Sequence, residues 1–283
     1  MTDLAGSTLY YAPGGGLGHM RRAHWVAKQL GFAHDWTLIA SPAPHLQAWM
    51  ADRTRVERIP SALENRRTDL QAWLRDIVDR VRPQRIFVDA FPGGLFGEWC
   101  GLDLPAGIEQ IHVARLLVWS NYCGRLCEPS PRFDRIYILE PLHQEHEKAL
   151  NRMSSSVGPL VLEPFVADSE TAPPVSSPFW LITHSEPVEE VLELLAHARE
   201  AAHIEGAAPS FVLATMCDVV TPGVEVLRNA DARTLYPSAS RIFSAAGFNT
   251  MQETKAWRAR HYFIPMPRRL DDQFERARRA RHV

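Results

Sequence analysis

The sequence lacks the uninterrupted apolar run of roughly 18 to 20 residues that a membrane-spanning helix requires. Between Met1 and Ser7 it also lacks the charged segment and following apolar segment that are typical of a secretory signal. We find neither low-complexity tracts nor internal repeats in the 283 residues. We therefore expect a soluble, cytoplasmic protein, and the apolar share of 46% is ordinary for a globular chain.

Cysteine is also scarce, since the chain has only four: Cys100, Cys123, Cys127 and Cys217. Their spacing matches neither a disulfide scaffold nor a zinc site. Cys123 and Cys127 could face each other across one helical turn, but no second pair of ligands accompanies them. The sequence predicts reduced thiols and no metal centre.

A large excess of one charge is missing too. The chain has 31 Lys and Arg against 33 Asp and Glu, which gives a net charge of −2 and argues against a general nucleic-acid-binding protein. One local excess occurs near the C-terminus, where four arginines lie close together: Arg276, Arg278, Arg279 and Arg281. We interpret them as a solvated helix face. Weak peripheral contact with an anionic membrane, or with a phosphate-bearing acceptor, is the alternative.

The sequence does contain a regular alternation of short apolar runs with segments of helical periodicity, which is typical of parallel sheets covered by helices. The stretch from Glu163 to Pro178 interrupts it with four prolines, as an interdomain linker would. We predict an α/β protein with two Rossmann-like domains facing across a cleft: residues 1–163, a linker at 164–178, and residues 179–283. The second domain is expected to be abbreviated, because the sequence stops soon after its last motif.

Individual elements follow from the same pattern. The clearest amphipathic helix carries apolar side chains at Leu70, Trp73, Leu74, Ile77, Val78 and Val81. Other helices are predicted at residues 20–30, 188–202, 249–257 and from 271 onward. Strands are predicted at residues 8–12, 36–40, 56–59, 85–89, 111–114, 136–139, 179–183, 211–215, 224–227, 242–244 and 262–264.

The first candidate site is a glycine-rich loop between the first predicted strand and helix. Its glycines, Gly15, Gly16 and Gly18, allow the backbone to approach a ligand closely. The loop lacks the G-x-G-x-x-G spacing and the acidic residue of a dinucleotide site. His19 ends the loop and Arg22 follows three residues later, at the sheet edge where open α/β sheets bind ligands. We expect His19 to face a cleft without packing into a core; a capping or packing role is the alternative.

The second candidate site begins where the strand at 242–244 ends. Gly247 lies in a turn of small residues, and Asn249 or Thr250 is expected to cap the helix that follows. The N-terminus of this helix is suited to a phosphate, and Glu253, one turn further, to a ribose diol. A plain capped helix, with Glu253 serving the helix dipole, is the alternative.

The third candidate site follows about twenty residues later, where Asp272 and Gln273 open the last predicted helix. Acid and amide side chains together can hold several hydroxyls of a sugar. Alone, this pair is also an ordinary helix start. The order of the second and third sites, at the ends of consecutive strands, makes the signal specific.

These segments together resemble the donor-binding half of GT-B glycosyltransferases related to the lipid II-forming N-acetylglucosaminyltransferase of peptidoglycan synthesis. In that family a ribose-binding glutamate follows the turn glycine by six residues, as Glu253 follows Gly247. An acid/Gln pair then binds the sugar, as Asp272 and Gln273 would. The Gly-His-x-x-Arg pattern that ends at Arg22 is similar to nucleotide-sugar hydrolases of nonulosonic acid synthesis.

The resemblance implies a nucleotide-sugar as co-substrate, no other cofactor, and transfer to an unknown acceptor, by an inverting reaction without a metal. Such a transfer needs a general base beside the attacking hydroxyl. His19 is the first candidate, because an imidazole titrates near neutrality. Asp89, at the end of its strand, is the second candidate, or else it orients His19. A turn-initiating role is the alternative for Asp89.

Two other functions stay open on the sequence. A nucleotide-sugar hydrolase would use His19 to activate water with nearly the same residues. A catalytically silent nucleotide-sugar-binding protein is the other possibility, because the loop from Thr183 to Pro187 departs from the family. That loop has no glycine where relatives carry a Gly/Ser-rich turn near the diphosphate, and Glu186 would repel a phosphate.

Overall fold

The computed structural model describes residues 7–14, 17–41, 54–163, 175, 178–185 and 187–281. The chain divides into two compact units, which we call unit 1 (Met1–Glu163 and Arg269–Asp271) and unit 2 (Pro164–Arg268 and Asp272–Val283). The linker predicted at 164–178 lies outside the described residues, apart from Val175 and Pro178. Each unit is a Rossmann-like α/β domain with its own parallel sheet, which confirms the predicted fold class.

Unit 1 contains a seven-stranded parallel sheet. Its strands are β1 (Thr8–Ala12), β2 (Trp36–Ala40), β3 (Thr54–Arg58), β4 (Arg85–Asp89), β5 (Glu109–Ala114), β6 (Arg135–Ile138) and β7 (Val157–Pro159). Its helices are α1 (Leu17–Gln29), α2 (Arg67–Val81), α3 (Trp119–Tyr122) and α4 (Gln144–Met153). The strands lie in the order β3-β2-β1-β4-β5-β6-β7, so the winding reverses between β1 and β4. Ligands of open α/β sheets bind outside the carboxyl ends of the strands at such a reversal.

Buried apolar positions explain why these segments adopt their structures. All five residues of β1 are buried, as expected for a strand with both faces covered. On α2 the buried residues recur at helical spacing: Leu70, Leu74, Ile77 and Val78. Each such side chain contributes about 1.5 to 3 kcal/mol when it leaves water. This stripe therefore holds α2 against the sheet, within the main core cluster of unit 1.

Unit 2 contains a five-stranded parallel sheet in the order β10-β9-β8-β11-β12. Its strands are β8 (Phe179–Thr183), β9 (Ser210–Thr215), β10 (Val224–Arg228), β11 (Arg241–Ala245) and β12 (His261–Ile264). Its helices are α5 (Val188–Ile204), α6 (Phe248–Glu253) and α7 (Gln273–Ala280). The winding reverses between β8 and β11. The inner face of α5 packs on this sheet through Val191, Leu194, Leu195, Ala198 and Ala202.

Several predicted boundaries were wrong. The first helix begins at Leu17 instead of residue 20, and β7 and α4 were not predicted. Only a few apolar residues define α4, and one of its buried positions is His146, so its periodicity is weak in the sequence. The helix predicted at 249–257 is interrupted, because α6 ends at Glu253 and Trp257 has non-helical dihedral angles.

Among the described residues, we find no helix with the length and apolar character needed to cross a membrane.

Candidate functional site

The winding reversal of unit 1 brings two sequence-predicted residues together. β1 and β4 are neighbouring parallel strands, with Tyr11 opposite Val88. Asp89 is the last residue of β4, and His19 lies in the first turn of the helix that follows β1. Both therefore lie at the carboxyl edge of the sheet, beside the crevice that this topology creates.

His19, Arg22 and Asp89 form one buried hydrogen-bonded cluster. Nδ1 of His19 lies 2.6 Å from Oδ2 of Asp89. Nε of Arg22 donates to Oδ1 of Asp89 over 2.8 Å, and Nη2 of the same guanidinium contacts Oδ2. Residues 19 and 22 are separated by about one helical turn, which is why both side chains reach the same carboxylate.

The carboxylate of Asp89 is fully buried and ionised. Burial alone would raise its pKa, but the charge of Arg22 and the hydrogen bond from His19 hold the pKa of Asp89 well below its usual range. The hydroxyl of Tyr10 also donates to Oδ1 over 3.1 Å. Burial, followed by the charge of Asp89, raises the pKa of Tyr10 well above 10, so this hydroxyl stays protonated.

Burial determines the protonation of His19, and the contact with Asp89 determines which ring nitrogen carries the proton. Burial lowers the pKa of His19 to about 4, against the opposing effect of Asp89, so the imidazole is neutral at pH 7. A carboxylate can only accept a hydrogen bond, so the proton of the neutral ring is on Nδ1. Nε2 therefore carries the lone pair, and this is the arrangement that a general base requires.

Gly14 lies against the free nitrogen of His19. A Cβ atom at Gly14 would stand 2.7 Å from Nε2 of His19, and the φ of Gly14 is +131°, which favours glycine. The Gly14 amide donates to Oγ of Ser41 over 3.0 Å. The predicted Gly18 lies within α1, and Gly15 and Gly16 fall outside the described residues. Gly14 belongs to the same predicted glycine loop.

The expectation that His19 does not pack into a core was wrong. Its relative exposure is only 8%, and its ring lies 5.6 Å from that of Phe91. The sequence could not show this, because the loop after β4 supplies Phe91 and the Asp89 contact draws the imidazole inward.

A second ion pair completes the charged surroundings of His19. Arg115 directly follows β5, is 6% exposed, and contacts the carboxylate of Asp271. Its charge further lowers the pKa of His19, and Asp271 in turn raises the pKa of Arg22. Asp271 is held by an antiparallel bridge to Leu117. Arg115 was not predicted, although its position at the end of a parallel strand was a usable signal.

In unit 2, the helix that follows the predicted phosphate-binding turn, α6, is not capped by the residues that we expected. Gly247 is the N-cap residue of α6 and has no side-chain cap, so neither Asn249 nor Thr250 caps the helix. A Cβ at Gly247 would meet no atom within 4 Å. Glu253 is the last residue of α6 and is 7% exposed, with the hydroxyl of Tyr236 3.5 Å from Oε2. The turn therefore borders open space, and the glutamate lies inside the unit.

Asp272 and Gln273 both make structural hydrogen bonds. The side chain of Asp272 caps α7 by accepting from the amide of Glu275 over 3.0 Å. Oε1 of Gln273 accepts from the amide of Met266 over 3.0 Å, and Gln273 is 4% exposed. The pair thus fixes the loop after β12 to the start of α7, whatever else it binds.

The start of α5 carries its own ionic cluster, which the sequence did not predict. Glu190 accepts from both Nη atoms of Arg268 at 2.5 Å, and lies 2.7 Å from Nε2 of His184. His184 follows β8, at the reversal of the second sheet. Glu190 therefore links the residue that follows β8 to the loop that follows β12.

The C-terminal arginines do not form one solvated face, which corrects that interpretation. Arg276 is 6% exposed, and its Nη1 donates to the carbonyl of Ala246 over 3.0 Å. Arg278 and Arg279 are partly exposed and both donate to Glu275, at 2.6 to 2.8 Å. The sequence pattern alone did not reveal this, because Arg276 points inward from the same short helix.

The four cysteines are free thiols. Among the described residues, no group of three or more His, Cys, Asp or Glu side chains is arranged to hold a metal ion.

No family model and no curated protein matches the sequence. Solved structures do match. Spinosyn rhamnosyltransferase SpnG, complexed with thymidine diphosphate, is 14% identical over 96% of this chain and 83% of its own, with a TM-score of 0.62. The UDP-GlcNAc 2-epimerase from Methanocaldococcus jannaschii is 10% identical over 98% of this chain and 92% of its own, with a TM-score of 0.53.

Arabidopsis thaliana UGT89C1, complexed with UDP-L-rhamnose, is 14% identical over 96% of this chain and 81% of its own, with a TM-score of 0.51. At such low identities the likeness concerns the fold alone. The more specific relation to the lipid II-forming enzyme stays a prediction. The chain has the GT-B fold of two Rossmann-like domains, as its glycosyltransferase and epimerase neighbours do.

Proposed function

We propose that this protein is a glycosyltransferase that moves a sugar from a nucleotide-sugar to an acceptor hydroxyl, with His19 as its general base. The observation that carries the proposal is the 2.6 Å contact between Nδ1 of His19 and Asp89 at the winding reversal. It leaves Nε2 as the nitrogen that takes the acceptor proton. Structures of the same fold that hold thymidine diphosphate or UDP-L-rhamnose support a nucleotide-sugar donor.

The proposed reaction is a direct displacement. The acceptor hydroxyl passes its proton to Nε2 of His19 while its oxygen bonds to the anomeric carbon, and the nucleoside diphosphate leaves from the opposite face. The configuration at that carbon is therefore inverted. Asp89 acts as a positioning residue, because its ionised carboxylate holds the Nδ1 proton and stabilises the imidazolium that forms. General base catalysis of this kind contributes about 10² to 10⁴ in rate.

We assign the donor to unit 2, at the turn before α6. Support comes from the open space beside Gly247 and from the burial of Glu253 near Tyr236, which suits a carboxylate that accepts from a ribose diol. We place Asn249 and Thr250 near the diphosphate, because the N-terminus of a helix suits a phosphate. The family resemblance adds Asp272 and Gln273 at the sugar. We propose that no metal takes part, since helix amides and arginines can meet the leaving charge.

The test compares two histidine variants. His19→Asn keeps an N–H that can donate to Asp89 but removes the Nε2 base. His34→Ala is the matched control, because His34 is exposed. A thermal-shift screen of TDP- and UDP-sugars identifies the donor, and nucleotide release is then measured with a cell extract as acceptor source. We expect turnover of His19→Asn to fall about a hundredfold or more, with donor affinity near that of the wild type. The melting temperature should fall, because a smaller side chain replaces a buried ring, and turnover is therefore measured well below it.

Each other outcome gives a different answer. Full turnover in His19→Asn would assign the base elsewhere. Nucleotide release by the wild type that does not depend on the extract would favour the hydrolase. Tight donor binding without turnover, in every extract, would favour the silent binding protein.

A further inference from the structure

Two cysteines on neighbouring loops of unit 1 lie together, outside the site described above. The amide of Cys127 donates to Sγ of Cys100 over 3.5 Å. The two side chains also hydrogen-bond to each other, so their sulfurs are neighbours, as a disulfide requires. We propose that Cys100 and Cys127 form a reversible redox pair, in which a hydroperoxide oxidises Cys127 and Cys100 then closes a disulfide.

An arginine assigns the first step to Cys127. Nη1 of Arg67 donates to Sγ of Cys127 over 2.7 Å. Nη2 of the same guanidinium donates to the carbonyl of Cys100 at 2.5 Å, and this second bond fixes its position. The thiolate is the reactive form of cysteine, and a neighbouring cation stabilises its negative charge. Cys127 is also only half-buried, in contrast to Cys100.

Cys100 has the opposite surroundings. It is fully buried, and burial together with its contact to Cys127 raises the pKa of Cys100 to about 11. Its thiol is therefore protonated and shielded at pH 7. It takes the second step, as the resolving thiol that attacks oxidised Cys127. Because this second step is slow, the sulfenic acid that forms first on Cys127 should accumulate, and a reagent such as dimedone can then trap it.

The chemistry balances with a hydroperoxide as the only added reagent. The Cys127 thiolate attacks one peroxide oxygen, the O–O bond breaks, and Cys127 becomes a sulfenic acid with release of hydroxide or alkoxide. Cys100 sulfur then attacks the Cys127 sulfur, and the S–O bond breaks as the S–S bond forms. The departing hydroxide takes the Cys100 proton and leaves as water. The two thiols together lose two electrons and two protons, and a dithiol reagent reverses the change.

The chain contains two control thiols. Cys123 is exposed and lies only four residues from Cys127, and its sulfur contacts the carbonyl of Ser120. Cys217, in unit 2, contacts the carbonyl of Ser185. Exposure alone would favour Cys123, whereas the arginine contact favours Cys127.

The test treats the full-length protein with hydrogen peroxide at pH 7 and follows intact mass and thiol alkylation over time. We expect the wild type to lose 2 Da and two alkylatable thiols, Cys100 and Cys127, with recovery by dithiothreitol and a higher melting temperature while oxidised. Cys100→Ser should instead accumulate a sulfenic acid on Cys127 that dimedone traps. Arg67→Gln should slow the oxidation of Cys127 at least tenfold, and Cys123→Ser should leave it unchanged.

Oxidation of Cys123 as fast as Cys127 would overturn the proposal, and so would sulfenic acid on Cys127 that never converts to a disulfide in the wild type. The absence of a Cys100–Cys127 disulfide from peptide maps of the oxidised protein would also overturn it. If Cys100→Ser folds poorly, Cys100→Ala serves the same purpose, because it keeps the buried site apolar.

Discussion

The winding reversals of the two sheets carry opposite kinds of ionic cluster. In unit 1, Asp89 is fully buried and accepts from three side chains, so its neighbouring imidazole stays neutral. In unit 2, Glu190 pairs with Arg268, whose side chain is 32% exposed. The first cluster keeps a buried imidazole neutral, and the second neutralises the start of α5 in partial contact with water. The same topology therefore buries an ionic cluster in one unit and leaves a partly solvated one in the other.

Removal of the central carboxylate tests that difference most strongly. Asp89→Ala leaves the buried guanidinium of Arg22 without its main partner, so we expect a loss of about 3 to 5 kcal/mol in the free energy of unfolding. The matched change Glu190→Ala should cost about 1 kcal/mol or less, because its ion pair is partly solvated. Urea unfolding of both variants measures this. Equal losses would mean that the two clusters do not differ in the way described.

As the pH falls, unit 1 should lose stability at a higher pH than unit 2. Burial lowers the pKa of three histidines of unit 1, His19 and His112 to about 4 and His146 to about 3. In unit 2 it lowers the pKa of His261 to about 3. A histidine with a lowered folded pKa binds its proton only on unfolding. Its contribution to stability is thus complete above pH 6.5 and is lost as the pH falls toward 4, by about 3 kcal/mol for a shift of two units or more.

Hydrogen exchange followed by mass spectrometry, between pH 7 and pH 4, distinguishes the units. We expect peptides of β1, β4 and β5 to lose protection at a higher pH than those of β8 and β11. His146→Phe sharpens the test, because both ring nitrogens of His146 lack a hydrogen-bond partner among the described residues and the ring stacks on Trp119 at 4.2 Å. This variant should reduce the acid sensitivity of unit 1. Simultaneous opening of both units would contradict the assignment.

The sequence predicted the fold well because its signals are local. Buried parallel strands are continuous apolar runs, and α2 and α5 bury residues at a strict helical period. It also selected His19, Arg22 and Asp89, which parallel topology brings to one edge. Boundaries failed where one residue decides them, as at Asp272, whose side chain caps α7.

The rest of the site depends on contacts between distant segments. The burial of His19 comes from the loop after β4, and the pairing of Arg115 with Asp271 spans 156 positions. Neither has a periodic or local signature. The inward orientation of Arg276 is likewise set by the carbonyl of Ala246, thirty positions away. Such long-range contacts decide how exposed a candidate residue is and which charges surround it. The sequence identifies the candidate residue but not these contacts.

Alanine substitutions at Gly14 and Gly247 compare two turns, each of which follows a strand at the winding reversal of its own unit. Gly14→Ala forces a side chain into a positive-φ conformation and against Nε2 of His19, so we expect a loss of about 1 to 3 kcal/mol and a large fall in turnover. Gly247→Ala meets no atom within 4 Å and has a normal φ, so its stability should change by about 1 kcal/mol or less. If the open space beside Gly247 holds the donor diphosphate, donor affinity should nevertheless fall. Unchanged affinity by calorimetry would place the donor elsewhere.

The smallest effect is expected at the exposed arginines of α7. Arg278 and Arg279 pair with Glu275 at helical spacings of three and four residues, and exposed pairs of this kind contribute little to stability. The double change Arg278→Gln and Arg279→Gln should therefore leave the melting temperature unchanged, provided that Arg276 stays intact. Because Glu275 neutralises part of their charge, we also expect no flotation with vesicles that contain phosphatidylserine, even at low salt, where screening is weakest. Salt-sensitive flotation of the wild type that disappears in the double variant would instead make this helix a membrane contact of unit 2.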